Sequence, residues 1–383
     1  MDLWVPESNT FLTLLQTPHY LASLALLLGI LLATIRAHET HRWQWSIGAG
    51  VMALALFQFH PFYVPTIFGV LGAWMIVESF AAQKIQWRLV GHNMIVAVFG
   101  APSIIYHLWL VHVDPIMAWK AAQNLLFTPA WWLVLVSYGF LTPLALVGSA
   151  FLLRHRTPHG RFVVTWLIVT VALICSPLTW QRRLTEGLHV ALVLAAIPGL
   201  LMMLAWLRAR LSKKITAHAW TPLTAALAFL PLFGASTTFN LIRDADLFTA
   251  RFPTTIPRHS FYYPTSAITA MRWIHDHSTP MDATLALGLS GNFFPMYGVR
   301  PTVLGHGVET ADFARKYRAA YALAEGRMTA SESALFLANE HVRFVLVTDA
   351  DRDLWTIDPT TIPTFHLVHR EKGAEVYETE ITN

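Results

Sequence analysis

Eight largely apolar runs follow one another through the first 239 residues, and they constrain this chain more than any other feature. They fall at about 19–35, 44–59, 62–81, 89–111, 130–153, 162–180, 188–207 and 220–239. A helix rising about 1.5 Å per residue needs roughly 20 apolar residues to cross a hydrocarbon layer. The second run is short and ends at His60-Pro61, which reads as a tight turn into the third. Pro65, Pro102, Pro143, Pro198 and Pro231 lie inside runs. Membrane helices tolerate proline because neighbouring helices and ordered water satisfy the freed carbonyls.

Charge divides the chain in two. Residues 1–239 hold 14 Lys/Arg and 6 Asp/Glu, whereas residues 240–383 hold 13 and 17. Only 13% of the whole is charged and mean hydropathy is +0.46. A water-soluble domain carries about twice that charge, so the first part is suited to lipid and the second to water. The sequence therefore predicts a transmembrane helical domain over 1–239 and a small α/β domain over 240–383. The basic pI of about 9.2 comes from loops between apolar runs, so nucleic acid is not an expected partner; the lipid bilayer is. Eleven basic residues sit in alternate loops: Arg36, Arg42, Lys84, Arg88, Arg154, Arg156, Arg161, Arg208, Arg210, Lys213 and Lys214. The remaining connections hold only Lys120, Arg182 and Arg183. Because basic residues are retained in the cytoplasm, the expectation is a multi-pass protein of the inner (plasma) membrane. Its N-terminus and C-terminal domain are then extracytoplasmic. The acidic start, with Asp2 and Glu7, does not resemble a cleavable signal peptide.

In the tail, Ser266–His277 places Ile268, Met271 and Ile274 on one helical face. Ala283–Leu289, Pro301–Leu304 and Arg343–Thr348 read as strands. Ala311–Ala324 and Ala330–Asn339 read as helices, the second capped by Thr329. The end of the chain reads as a hairpin turning at Lys372-Gly373. Alternating strands and helices predict a largely parallel sheet with an antiparallel edge.

The strongest chemical candidate is Gln181-Arg182-Arg183-Leu184-Thr185-Glu186 on an outer loop, where two arginines break the charge rule. Arginine's planar fork fits phosphate oxygens, so Arg182 and Arg183 are expected to clamp a lipid phosphate. A salt bridge to Glu186 or ordinary head-group contact is the simpler alternative. A second region runs from Ser290 through Asn292, Arg300 and His306 to Glu309. Its glycines and Asn292 suit turns at the carboxyl ends of strands, where α/β sheets bind ligands, though plain turn chemistry explains them as well. No Walker or dinucleotide-binding pattern is present. His275-Asp276-His277 places its imidazoles apart on a helix, so no metal site is expected. The segment His112–Thr128 reads as amphipathic, lying along the membrane interface. Cys175 is the only cysteine and excludes an intrachain disulfide. No cofactor is indicated.

Two stretches resemble the C-terminal half of bacterial GT-C-type membrane glycosyltransferases, the dolichyl-phosphate-mannose-protein mannosyltransferase-like group. One is Cys175-Ser176-Pro177…Gln181-Arg182-Arg183-Leu184…Glu186-Gly187-Leu188. The other runs from Ala270, Trp273 and Ile274 through Gly291-Asn292, Pro295, Gly298, Arg300, Gly305-His306, Glu309-Thr310 and Lys316 to Phe344-Val345-Leu346-Val347. The opening Pro6-Glu7-Ser8-Asn9-Thr10-Phe11…Pro18-His19 is similar to an internal loop of such proteins. The resemblance implies a polyprenyl-phosphate sugar as donor and chemistry outside the cytoplasm. That family carries its catalytic acid in the first external loop, where this chain has no counterpart. The expectation is a relative without the N-terminal catalytic portion, with a separate chain supplying it, and no catalytic residue is assigned. The alternative is a non-catalytic scaffold whose external domain binds an envelope partner. A transporter, which favours polar residues at the membrane midplane, ranks last.

Overall fold

The computed structural model describes residues 17–211, 235–249 and 263–380, together with Thr10, Thr13 and Leu14. The described chain divides into two compact units, Met1–Asp114 with Asn124–Asp244, and Pro115–Gln123 with Ala245–Asn383.

The first unit is helical. Its elements are α1 (Pro18–Thr40), α2 (Trp43–Phe59), a 3-10 turn at Pro61–Tyr63, α3 (Val64–Ala81) and α4 (Trp87–Val113). After α5 (Pro115–Gln123), which belongs to the second unit, come α6 (Trp131–Ser137), α7 (Leu141–His155), α8 (Pro158–Ile174) and α9 (Leu188–Leu211). Among the described residues, four helical stretches are long and apolar enough to cross a membrane: Pro18–Thr40, Pro61–Ala81, Trp87–Val113 and Gln181–Leu207. A fifth exists if α6 and α7 count as one span, although they meet at 97°. The fifth apolar run is thus not one straight helix: Gly139, at φ +53°, turns the chain between its halves. Runs two and six form helices of only 17 residues, about 26 Å at the α-helical rise. Most of the eighth run, 220–234, lies outside the described residues.

The helices are apolar on their outward faces as well as inside. Leu108, Trp109, Ile105 and Val98 on α4 are all more than half exposed, which suits a lipid solvent and not water. Inward, Leu27, Ile30, Phe57, Ile67, Trp74 and Trp166 build the core. Buried hydroxyls of the bundle find partners on their own helix, as Thr34 does at the Ile30 carbonyl (2.8 Å) and Thr170 at that of Trp166 (2.9 Å), or on a neighbouring one, as Ser103 does at the Leu54 carbonyl (2.9 Å). Such pairing is required where water is absent. Glu78 of α3 accepts from Nε and Nη2 of Arg161 of α8, at 2.8 and 2.6 Å.

In the second unit, α11 (Thr265–His277), β1 (Ala283–Ala286), α12 (Gly288–Tyr297), α13 (Phe313–Ala324), α14 (Ala330–Asn339), β2 (Val342–Thr348), β3 (Phe365–Glu371) and β4 (Ala374–Thr379) form an α/β sandwich. Before it, α10 (Ala235–Thr249) runs across the division between the units. The sheet order is β1-β2-β4-β3. Alternation along β2 divides the core: Phe344 and Leu346 pack with Ala270, Met271 and Ile274 of α11. Val345 and Val347 pack with α13 and α14, through Leu323 and Phe336. Thr329 and Glu332 close a reciprocal cap on α14. Gly373, at φ +87°, makes the turn between β3 and β4.

The structure corrects the expected sheet. Only β1 and β2 are parallel, and both other pairings are antiparallel. Pro301–Leu304 contributes an isolated bridge, Thr284 to Thr302, and not a strand. The expected strand Ala283–Leu289 stops at Ala286, and Gly291 and Asn292, read as turn formers, lie inside α12. Gly291 serves close packing there: a Cβ on it would stand 2.8 Å from the Ala286 carbonyl oxygen and closer still to that of Leu304.

Candidate functional site

Antiparallel connection brings the start of α1, the end of α2, the start of α3, the end of α8 and the start of α9 to one end of the first unit. The loop Cys175–Gly187 lies there, with a 3-10 turn over Gln181–Thr185. It is pinned to the segment before α6. Leu126 N–H donates to the Thr179 carbonyl (2.7 Å), Arg182 N–H to that of Leu126 (2.9 Å), and Thr128 Oγ1 to Gln181 Oε1 (2.5 Å). The loop is therefore fixed before any side chain binds a ligand.

Arg183 is half-buried. Its Nη1 donates to the Tyr20 hydroxyl at 3.0 Å, and its guanidinium lies 4.6 Å from the centre of the Phe62 ring. Phe62 packs on Trp180 at 5.2 Å and on His60 at 5.6 Å, and His60 meets Tyr20 at 5.3 Å. The result is an aromatic collar around one cation. Stacking on a ring face while hydrogen-bonding through an edge is characteristic of arginine. The Nε of Arg183 is buried with no hydrogen-bond partner among the described residues. An uncompensated buried donor on a cation favours an arriving anion. Arg182, also half-buried, occupies the same turn. Thr10 extends this end, its Oγ1 lying 2.9 Å from His189 Nδ1. Sequence reasoning found the arginines as exceptions to the charge rule and missed Tyr20, His60 and Phe62. Their only sequence signal is that each borders an apolar run on the same side.

The second unit does not gather Asn292, Arg300, His306 and Glu309 into one cluster of side-chain contacts. Asn292 is exposed on α12. Arg300 closes the carboxyl end of α11, donating to the His275 and Ser278 carbonyls (3.1 Å each) and to Ser278 Oγ (3.1 Å). His306 is exposed, and its carbonyl accepts the Glu309 and Thr310 N–H groups. Glu309 pairs with Lys120 of α5. Gln123 of α5 donates to the Thr310 carbonyl (2.9 Å) and accepts from Phe313 N–H (3.1 Å). Pro115–Gln123, the middle of the segment read from the sequence as lying along the membrane interface, is thus held within the second unit through Lys120 and Gln123. His275 and His277 each turn to a backbone carbonyl, of Gly298 (3.1 Å) and Trp273 (2.8 Å).

At the carboxyl ends of β1 and β2, the usual ligand position of such sheets, the chain supplies its own anion. Asp351, 1% exposed, accepts the N–H of Leu289 (3.0 Å) and of Ser290 (3.3 Å) and the Thr348 hydroxyl (3.1 Å). Burial pushes its carboxyl above the ordinary value despite these donors. Tyr263, 2.5 Å from Ser290 Oγ, is pushed up to about 12 by burial. This network caps α12 and fills the position a ligand would take.

No family model matches this chain, and no curated protein matches it.

Proposed function

We propose that this chain is a polytopic inner-membrane protein of about eight spans that binds the phosphate of a polyprenyl-phosphate-linked sugar at the outer membrane face. It would act there in the manner of the GT-C-type glycosyltransferases it resembles. Arg183 carries the reading. It is a half-buried cation in an aromatic collar with an unused buried donor, at the bundle end opposite the basic loops. The positive charge of those loops supports an extracytoplasmic orientation for that end. Arg182 supplies a second charge, and the aromatic wall suits a prenyl chain beside the head group.

The test is binding of a radiolabelled polyprenyl-phosphate sugar to the detergent-purified protein. Wild type is compared with Arg183→Gln and with Arg182→Gln/Arg183→Gln, each verified as folded by its thermal transition. Saturable binding that weakens at least tenfold in the single variant, about 1.4 kcal/mol, supports the reading. Binding unchanged in the folded double variant, or no binding by wild type, overturns it.

A further inference from the structure

The second unit holds a cleft of about 600 Å³ lined by other residues than those of the candidate sites above. That volume lies within the range of small-ligand sites. It forms where the segment after β2 folds over β3 and β4, and none of Asn292, Arg300, His306 or Glu309 lines it. Trp355 and Tyr377, 7% and 1% exposed, line it beneath the charged groups. Around them stand Arg352, Arg370, Glu375, Asp353 and Asp358.

The charge arrangement decides what fits. Glu375 sits between the two arginines: Arg352 Nη2 donates to Oε2 at 2.8 Å, and Arg370 Nη2 forms an ion pair with Oε1 at 3.1 Å. The Tyr377 hydroxyl donates to Oε2 at 2.8 Å. One carboxylate therefore offsets one of the two positive charges, and Asp353 and Asp358 outweigh the other. Two cations against three anions leave the cleft at −1, unlike the arginine site of the first unit, so it does not attract phosphate. Yet the arginines, 40% and 60% exposed, keep donor groups toward the opening, and exposed Asp353 keeps acceptors. Arginine donors beside carboxylate acceptors over an apolar floor match vicinal hydroxyls, each of which gives and accepts a hydrogen bond.

We infer that this cleft binds a neutral, hydroxyl-rich ligand, namely the sugar units of a glycan. The site is independent of the phosphate site and stands whether or not that one binds lipid. Saturation-transfer NMR on the full-length protein in detergent, with maltotriose, cellotriose and mannotriose as probes, tests it. Saturation transfer to at least one trisaccharide is expected, weakened about tenfold in Arg370→Gln and in Asp353→Asn. It should remain unchanged in Arg182→Gln/Arg183→Gln, which separates this site from the first. Both cleft side chains are largely exposed, and an unchanged thermal transition shows that each variant folds. The inference fails if no trisaccharide receives saturation, if the cleft variants bind as wild type does, or if a tetralysine peptide competes the sugars away.

Discussion

Replacing Gly148 with alanine tests the helix packing of the first unit at its tightest point. Gly148 on α7 and Gly199 on α9 mark a place where two backbones touch without side chains between them. A Cβ added at Gly148 would stand 2.9 Å from Gly199 N and 3.1 Å from Ala195 C, and closer still to the Ala195 carbonyl oxygen. The reciprocal Cβ at Gly199 would stand 3.0 Å from Leu144 C and 3.1 Å from Gly148 N, with the Leu144 carbonyl oxygen nearer. These are backbone atoms, so no rotamer change relieves the overlap and the helices must separate. Separation opens contacts among Leu144, Ala145, Ala191 and Ala195, which belong to one core. Overpacking costs typically about 1–3 kcal/mol, and packing contacts are the main force joining helices in lipid. The upper half of that range is expected here. Gly72→Ala is the control, since nothing lies within 4 Å of a Cβ there; alanine should be neutral or stabilising by about 0.5–1 kcal/mol. Unfolding in mixed micelles, followed by tryptophan fluorescence, reads both variants. If Gly148→Ala is as stable as Gly72→Ala, the close crossing of α7 and α9 is refuted.

Two further outcomes follow from charged groups. Glu78→Gln leaves Arg161, whose side chain is 18% exposed, without its carboxylate, and breaking a buried pair costs about 3–5 kcal/mol. The same micelle assay should show a clear loss, partly recovered in Glu78→Gln/Arg161→Gln, and a single variant as stable as wild type would contradict the pairing. Glu375 gives a pH signature. Burial pushes its carboxyl up, but Arg352, Tyr377 and Arg370 outweigh burial and hold it below its ordinary 4.5. A depressed carboxylate contributes stability above the unfolded value and loses it as pH falls through the folded one. Hydrogen exchange in β4 should therefore show Glu375→Gln less protected than wild type at pH 7, with the gap closing below about pH 4.5. A gap that stays the same at every acid pH down to full protonation of the carboxylates would show that Glu375 does not act through its charge.

How far the sequence announced all this depended on whether the governing interaction was local. Thr329 and Glu332, three residues apart, cap α14 by a rule that needs only their spacing, and Lys372-Gly373 turns a hairpin because glycine adopts φ +87° freely. Val342–Thr348 is legible because both faces of a central strand are buried. The break at Gly139 was not, since apolarity measures affinity for lipid and not straightness. Gly291 was misread for a related reason: its glycine serves approach to the Leu304 and Ala286 carbonyls, a contact that sequence spacing does not reveal. The candidate site shows the same division. Arg182 and Arg183 were visible because a cation in a loop expected from its neighbours to be charge-poor needs a reason. Tyr20, 163 positions from Arg183, was invisible because only the folding of α1 against the 3-10 turn at Gln181–Thr185 makes them neighbours. Charges that violate a regional rule therefore locate a site, while the residues that define its chemistry emerge only with the order of the helices. Arg352, Arg370 and Glu375 violate no rule in a charge-rich region, and so the cleft they line had to come from the structure.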